Sequence, residues 1–324
     1  MTDVADMTDV TGLPGFSRVF AADRLTVGLA LPLDGPDPWR AAELVQRAER
    51  AGFAAVWARD IPLSVETFGD DGQEYDPFMY LTWLAAQTGS IALGTAAVVL
   101  PLAHPLLLAK RAAGLDLMSR GRFILGLASG DRPEEFRAFG LDKGDRGEIF
   151  RENLRVLDKA WEYPRGELHP ISWSRGRVGG AEVVPKPTVG RVPRLMVGSC
   201  LQSMEFNVAH GDGWLTYHRS LPEQKIMVDR WRATARELGV GFRPFGESLW
   251  LDVLEDPDAP AQGRDFGYRL GRNALLELLD SQRRMGINHV SVNLRHGRRP
   301  VEEVMDELGE YVIPEFPVSV PPTA

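Results

Sequence analysis

The feature that most constrains this chain is a repeated alternation, from residue 26 to residue 308, of short apolar runs with amphipathic segments. Parallel strands joined by crossover helices produce this pattern, because a parallel neighbour needs a connection long enough to return the chain to the same end of the sheet. The apolar runs fall at 26–33 (TVGLALPL), 55–59, 91–100, 123–128 (FILGLA), 194–198, 214–217, 248–254 and 289–294. Helical spacing follows each of them, at 39–51, 77–87, 105–118, 148–161, 201–210, 222–238, 271–285 and 301–308. Gly52 suits a helix stop and Pro105 a first helical position. The series predicts an α/β fold, a closed (β/α)₈ TIM barrel, with an open doubly wound sheet as the other arrangement.

Two stretches break the rhythm. Residues 163–193 carry several Gly and Pro without helical periodicity, which predicts an insertion between the fourth helix and the fifth strand, with room for a small hairpin. Residues 1–24 are acidic and contain a near-duplication (MTDVADMTDV), and neither the basic nor the apolar region of a signal peptide is present. They are expected to form a flexible arm, leaving 25–324 as a single barrel domain. The most apolar stretch, 91–109, has the length of a membrane span, but Gly94, Pro101, His104 and Pro105 interrupt it. A membrane role is therefore not expected.

Composition narrows the partners. A net charge of −8 offers no general attraction to nucleic acid. Cys200 is the only cysteine, which excludes an internal disulfide, and the histidines show no metal-ligand spacing. A reducing cytoplasm and a metal-free site are the expectation. No Gly-x-Gly-x-x-Gly follows a strand, so a Rossmann dinucleotide site is not supported.

In a barrel, function gathers where strands end at their carboxyl side. That rule selects Arg59 and Asp60 after the second run, Ser129 and Gly130 after the fourth, 198–203 (GSCLQS) after the fifth and His218 after the sixth. Arg59 and Asp60 could form a catalytic pair or a structural bridge at the rim. Successive strand residues point to opposite faces, so only one of them can look inward. Ser199 and Gln202 make an S-x-x-Q capping box, which explains both residues without a ligand. A helix amino terminus also attracts phosphate, so the same turn could serve as an anion site.

Residues 93–105 (LGTAAVVLPLAHP), followed by 121–126 (GRFILG) and 135–140 (EFRAFG), resemble the bacterial luciferase and flavin-dependent monooxygenase superfamily. The likeness runs from the first strand to the last helix. It implies a flavin over the third strand, against a non-prolyl cis peptide that falls here at Ala96–Ala97. It implies cofactor contacts from Ser129 and Gly130 and a phosphate-binding turn at Gly198, Ser199, Cys200, Gln202 and Ser203. It implies Arg59, Asp60 and His218 as candidate catalytic groups, although luciferases place a histidine where this chain has Arg59–Asp60–Ile61. The activity implied is a two-component monooxygenase: reduced FMN from a separate NAD(P)H:flavin reductase, O₂ and a small organic substrate. A deazaflavin-dependent hydride-transfer enzyme and a non-catalytic flavin-binding protein are the alternatives. Relatives commonly form homodimers through helices on one side of the barrel, and the apolar helices flanking the third strand are the candidates here. The shape of the substrate site would rest on the loop 64–75 and the insertion 163–193.

Overall fold

The computed structural model describes residues 9–35, 37–65, 68 and 74–318. Eight parallel strands close into a barrel: β1 (Thr26–Ala30), β2 (Ala55–Ala58), β3 (Ala92–Thr95), β5 (Phe123–Ala128), β8 (Arg194–Val197), β9 (Gly213–Tyr217), β10 (Phe245–Val253) and β13 (His289–Asn293). The ring is complete because β10 pairs with both β9 and β13, and β13 pairs with β1. The open-sheet alternative is thereby excluded. The short β4 (Val98–Val99) continues the third run after a break at Ala96–Ala97 and pairs with β5.

The outer layer consists of α2 (Pro38–Ala51), α3 (Pro77–Gln87), α4 (Pro105–Met118), α6 (Arg146–Glu162), α7 (Met204–His210), α8 (Leu221–Glu237), α9 (Arg272–Met285) and α10 (Val301–Tyr311). Gly52 caps α2 in the left-handed conformation at φ 90°, which a residue without Cβ adopts freely. Pro105 opens α4 behind His104, whose ring meets Trp173 edge-on. The insertion holds the hairpin β6 (Ile171–Trp173) and β7 (Gly176–Val178). A short helix α5 (Pro133–Ala138) follows β5. A second hairpin, β11 (Gln262–Arg264) and β12 (Gly267–Leu270), extends the barrel beside the carboxyl half of β10. Short, polar and centred on a turn, it carries too little apolar periodicity to be read from sequence. Among the described residues no helix is long and apolar enough to cross a membrane.

The expectation of a loose arm over 1–24 is corrected where the structure describes it. Helix α1 (Pro14–Val19) seals the amino-terminal end of the barrel, burying Val10, Leu13, Phe16, Val19 and Phe20 against Ala55, Trp57, Ile124, Leu195 and Leu215. The strand ends leave an apolar opening that only another segment can cover, and these five side chains cover it. Residues 1–8 lie outside the described residues.

A hydrogen-bonded line runs through this interior. Trp57 Nε1–H donates to His289 Nε2 at 2.9 Å, and His289 Nδ1 lies 2.8 Å from Thr26 Oγ1, which donates to the Val19 carbonyl at 2.7 Å. Because Trp57 and Thr26 both spend their protons as donors, the imidazole must carry its own on Nδ1. Gly28 and Gly94 make the space: a Cβ on the first would meet His289 Cε1 at 2.8 Å, and on the second the Trp57 ring at 2.2 Å. Complete burial pulls the His289 pKa down to about 3 from the ordinary 6.5. The unfolded chain therefore binds a proton that the fold refuses, and stability falls as pH drops below 6.5, by up to about 1.4 kcal/mol per unit. His289→Leu is expected to lower stability at pH 8 by about 1–3 kcal/mol, since it leaves the Trp57 N–H unpaired. It should also flatten the loss between pH 6.5 and 5 in urea denaturation. An acid limb as steep as that of the wild type would contradict this account.

Candidate active site

The carboxyl ends of the strands open on a cleft of about 610 Å³, open solvent at its mouth included. Trp57 and Leu215 are among its lining residues, with the small residues Ala30, Ala96, Gly198, Ser248 and Ser291 and the larger Arg59, Tyr217, Trp250 and Asn293. The Ala96–Ala97 peptide is cis, as the resemblance implied, and Ala96 faces this space. Thr216 lies between Leu215 and Tyr217, so alternation turns its buried hydroxyl, unpartnered among the described residues, toward the helix layer beside Glu247.

Strand parity decides the Arg59–Asp60 question. Arg59 continues the inward series of Ala55 and Trp57, while Asp60 faces a second cavity outside the barrel, lined also by His104, Arg111 and Phe78. The expected partnership is corrected: Arg59 Nη2 donates to Glu74 Oε1, which also accepts from Arg295 Nη1 at 3.3 Å. Asp60 accepts from the Val99 N–H at 3.3 Å, and burial lifts its carboxyl to about 6. Nothing in a single sequence marked Glu74, since it lies beyond a loop; residues 66, 67 and 69–73 of that loop are outside the described residues.

His218 is also moved from its expected place. It is buried on the helix side of β9, with Nδ1 3.1 Å from Glu247 Oε1 and Nε2 3.2 Å from the Tyr268 hydroxyl. Its neighbour Tyr217 has the inward place, and alternation from Tyr217 was the signal available for this. Ser129 is buried, and Gly130 adopts φ 77° where a Cβ would meet Val99 Cγ1 at 2.6 Å. Neither is among the cavity-lining residues.

The turn 198–203 has an unusual backbone, with Gly198, Cys200 and Leu201 at φ 66°, 52° and 54°. Left-handed non-glycine residues cost of order 1–3 kcal/mol each and persist where neighbours over-determine them. Here Trp214 Nε1–H donates to the Gly198 carbonyl at 2.6 Å, Asn207 Nδ2 to the Ser199 carbonyl at 3.0 Å and Gln202 Nε2 to the Gly147 carbonyl at 2.9 Å. The Cys200 thiol donates to the Leu127 carbonyl at 3.3 Å, and burial pushes its pKa up to about 12, so it packs rather than reacts. The Ser199–Gln202 capping box is corrected: α7 begins later, and Ser203 Oγ caps it by accepting from the Phe206 N–H at 3.2 Å. Ser199 Oγ accepts from the Leu201 N–H at 3.3 Å. Gly198 alone of this turn is among the cavity-lining residues.

Residues 19–247 match the family described as luciferase-like monooxygenase. An alkanal monooxygenase alpha chain of Photorhabdus luminescens is 34% identical over 224 residues, covering 65% of this chain and 57% of that one. The chain spans less than two thirds of the length of the curated relatives it matches. Among solved structures, monooxygenase RslO1 from Streptomyces bottropensis has a TM-score of 0.76 at 20% identity, covering 90% of this chain and 99% of that one. An F420-dependent secondary alcohol dehydrogenase, in complex with an F420–acetone adduct, has a TM-score of 0.75 at 18% identity, covering 89% and 98%. At these identities the structural likeness establishes the fold.

If the 198–203 turn holds a phosphate, the double variant Ser199→Ala with Ser203→Ala should weaken FMN about tenfold while leaving riboflavin, which lacks the phosphate, nearly unchanged. Equal losses for both ligands would reduce these serines to turn and cap.

Proposed function

The chain belongs to the luciferase-like monooxygenase family, and from that premise we propose that it binds reduced FMN in the barrel-mouth cavity and oxygenates a small organic molecule. The carrying observation is the cavity itself, in which small side chains leave room for a planar group and Arg59, Ser248, Ser291 and Asn293 supply polar lining. A flat heteroaromatic ring with polar edges fits that donor set. Ala30, Ala96 and Gly198 would flank it, with Ser248, Ser291 and Asn293 at its polar edge. The serines of the 198–203 turn would take its phosphate. Reduced flavin supplies the electrons that activate O₂ for transfer of one oxygen atom.

The protein's own contributions follow from its residues. Trp57, held by His289, closes the lower end of the cavity against water. Arg59, held by Glu74, places a guanidinium where negative charge gathers during reduction of oxygen, an interaction that gains strength away from bulk water. Similarity to a relative named as the oxygenase component of a flavin-dependent trigonelline monooxygenase, from Acinetobacter baylyi, supports reduction by a separate NAD(P)H:flavin reductase. Met79 on α3 and Leu107, Leu117 and Met118 on α4 are exposed apolar side chains on the helices through which a homodimer would assemble. Sedimentation reads this directly, and a monomer at micromolar concentration overturns it.

Anaerobic titration with reduced FMN and reduced deazaflavin, followed by an oxygen pulse in the presence of organic substrates, tests the whole reading. Tighter binding of reduced FMN and substrate-dependent O₂ uptake are expected. Preference for the deazaflavin without O₂ uptake would assign hydride transfer instead, and flavin retention without substrate-linked uptake would leave a flavin carrier.

A further inference from the structure

A second cavity, of about 590 Å³ free of protein atoms, adjoins the first across Trp250, which lines both. It lies between the carboxyl end of β10 and the β11–β12 hairpin, and its walls include Asp252, Arg264, Asp265, Tyr268 and His296. Behind Tyr268 stands a built array of polar groups. Glu247 is wholly buried, and its two oxygens accept from Gln224 Nε2 and Gln282 Nε2. Its Oε1 also lies 3.1 Å from His218 Nδ1. Paired with the Glu247 carboxylate through an Nδ1–H, the neutral ring of His218 presents Nε2 as an acceptor. At 3.2 Å the Tyr268 hydroxyl donates to it. The lone pairs of that hydroxyl remain to accept from a ligand, and Tyr268 is the member of the array that lines the cavity.

Resting on the monooxygenase reading, we propose that this cavity is the substrate pocket, that it takes a small planar compound bearing an ionisable hydroxyl, a phenol or enol, and that Tyr268 is its proton acceptor. The ligand O–H bond breaks and its proton moves to Tyr268 Oη, while the proton already on Oη moves to His218 Nε2. The products are the ligand oxyanion and an imidazolium whose charge is balanced by Glu247. The electron pair of the broken bond stays on the ligand oxygen, which enriches its ring for attack by an electrophilic oxygen atom. Glu247, Gln224 and Gln282 are positioning residues. Facing the site across the cavity, Arg264 favours the oxyanion, while Asp252, Asp265 and His296 complete the titratable groups around it. Asp252 is itself engaged with Arg264 and Arg269, each at 3.4 Å. Trp250 and His296, with ring centroids 4.5 Å apart, give the pocket an aromatic wall suited to a flat ligand.

The test uses 4-nitrophenol, whose absorbance reports its own ionisation, added to the flavin-free full-length protein at a pH where the free probe is mostly protonated. The wild type should bind the probe and shift it to the anionic spectrum. Tyr268→Phe should weaken binding about tenfold and abolish the shift, while binding 4-nitroanisole, which has no proton to give, as the wild type does. His218→Gln should still bind the probe but leave it protonated, which a packing role would not produce, and it serves if Tyr268→Phe does not fold. Failure of the wild type to bind or ionise the probe, or wild-type ionisation in either variant, overturns the proposal. Because no flavin is present, loss of FMN binding in a parallel titration would instead overturn the monooxygenase reading alone.

Discussion

The Trp57–His289–Thr26–Val19 hydrogen-bond line is the interaction on which the rest of the barrel depends. It ties β2 to β13, β13 to β1 and β1 to the sealing segment, in a space cleared by Gly28 and Gly94. Below it, the side chains of α1 close the interior. Beyond it, Trp57 becomes a wall of the cavity. One tautomer of one buried imidazole therefore fixes the ring on which the site is built, and an exposed line of the same groups would exchange its bonds with water and fix nothing.

The site has two levels of electrostatic organisation. Arg59 faces the barrel cavity with Glu74 behind it, so its orientation is set by a partner only 11% exposed. Asp60, one residue on, is turned away, and desolvation keeps its proton affinity high. The same division appears across the mouth, where Tyr217 faces the barrel cavity and His218 joins Glu247 on the helix side. Strand pleat thus separates residues adjacent in sequence into two environments, one facing the barrel cavity and one turned toward the surrounding layer.

Much of the fold was legible because periodicity is a local property. The apolar runs and their helices lie close to where spacing put them, except that the third run breaks at Ala96–Ala97 and α7 begins only at Met204; Gly52 and Pro105 mark helix ends as their conformational preferences require. Helix α1 was not legible, because its short apolar sequence acquires a role only from the open end of a finished barrel. The β11–β12 hairpin was lost for want of periodicity. At the site, alternation correctly limited Arg59 and Asp60 to one inward member, and the family blocks located Ala96–Ala97. Alternation from Tyr217 would also have moved His218 outward had it been applied there. Glu74 could not be found, because it arrives from a distant loop.

The central claim is that a flavin occupies the cavity above Trp57, and filling that space tests it most directly. Ala30→Phe, with Ser248→Leu as an independent second variant, places bulk among the small residues while leaving the His289 line and α1 untouched. Equilibrium titration with reduced FMN, read beside the melting temperature, should show binding weakened by about a hundredfold or more with thermal stability close to that of the wild type. FMN affinity at the wild-type level in both folded variants would contradict the account.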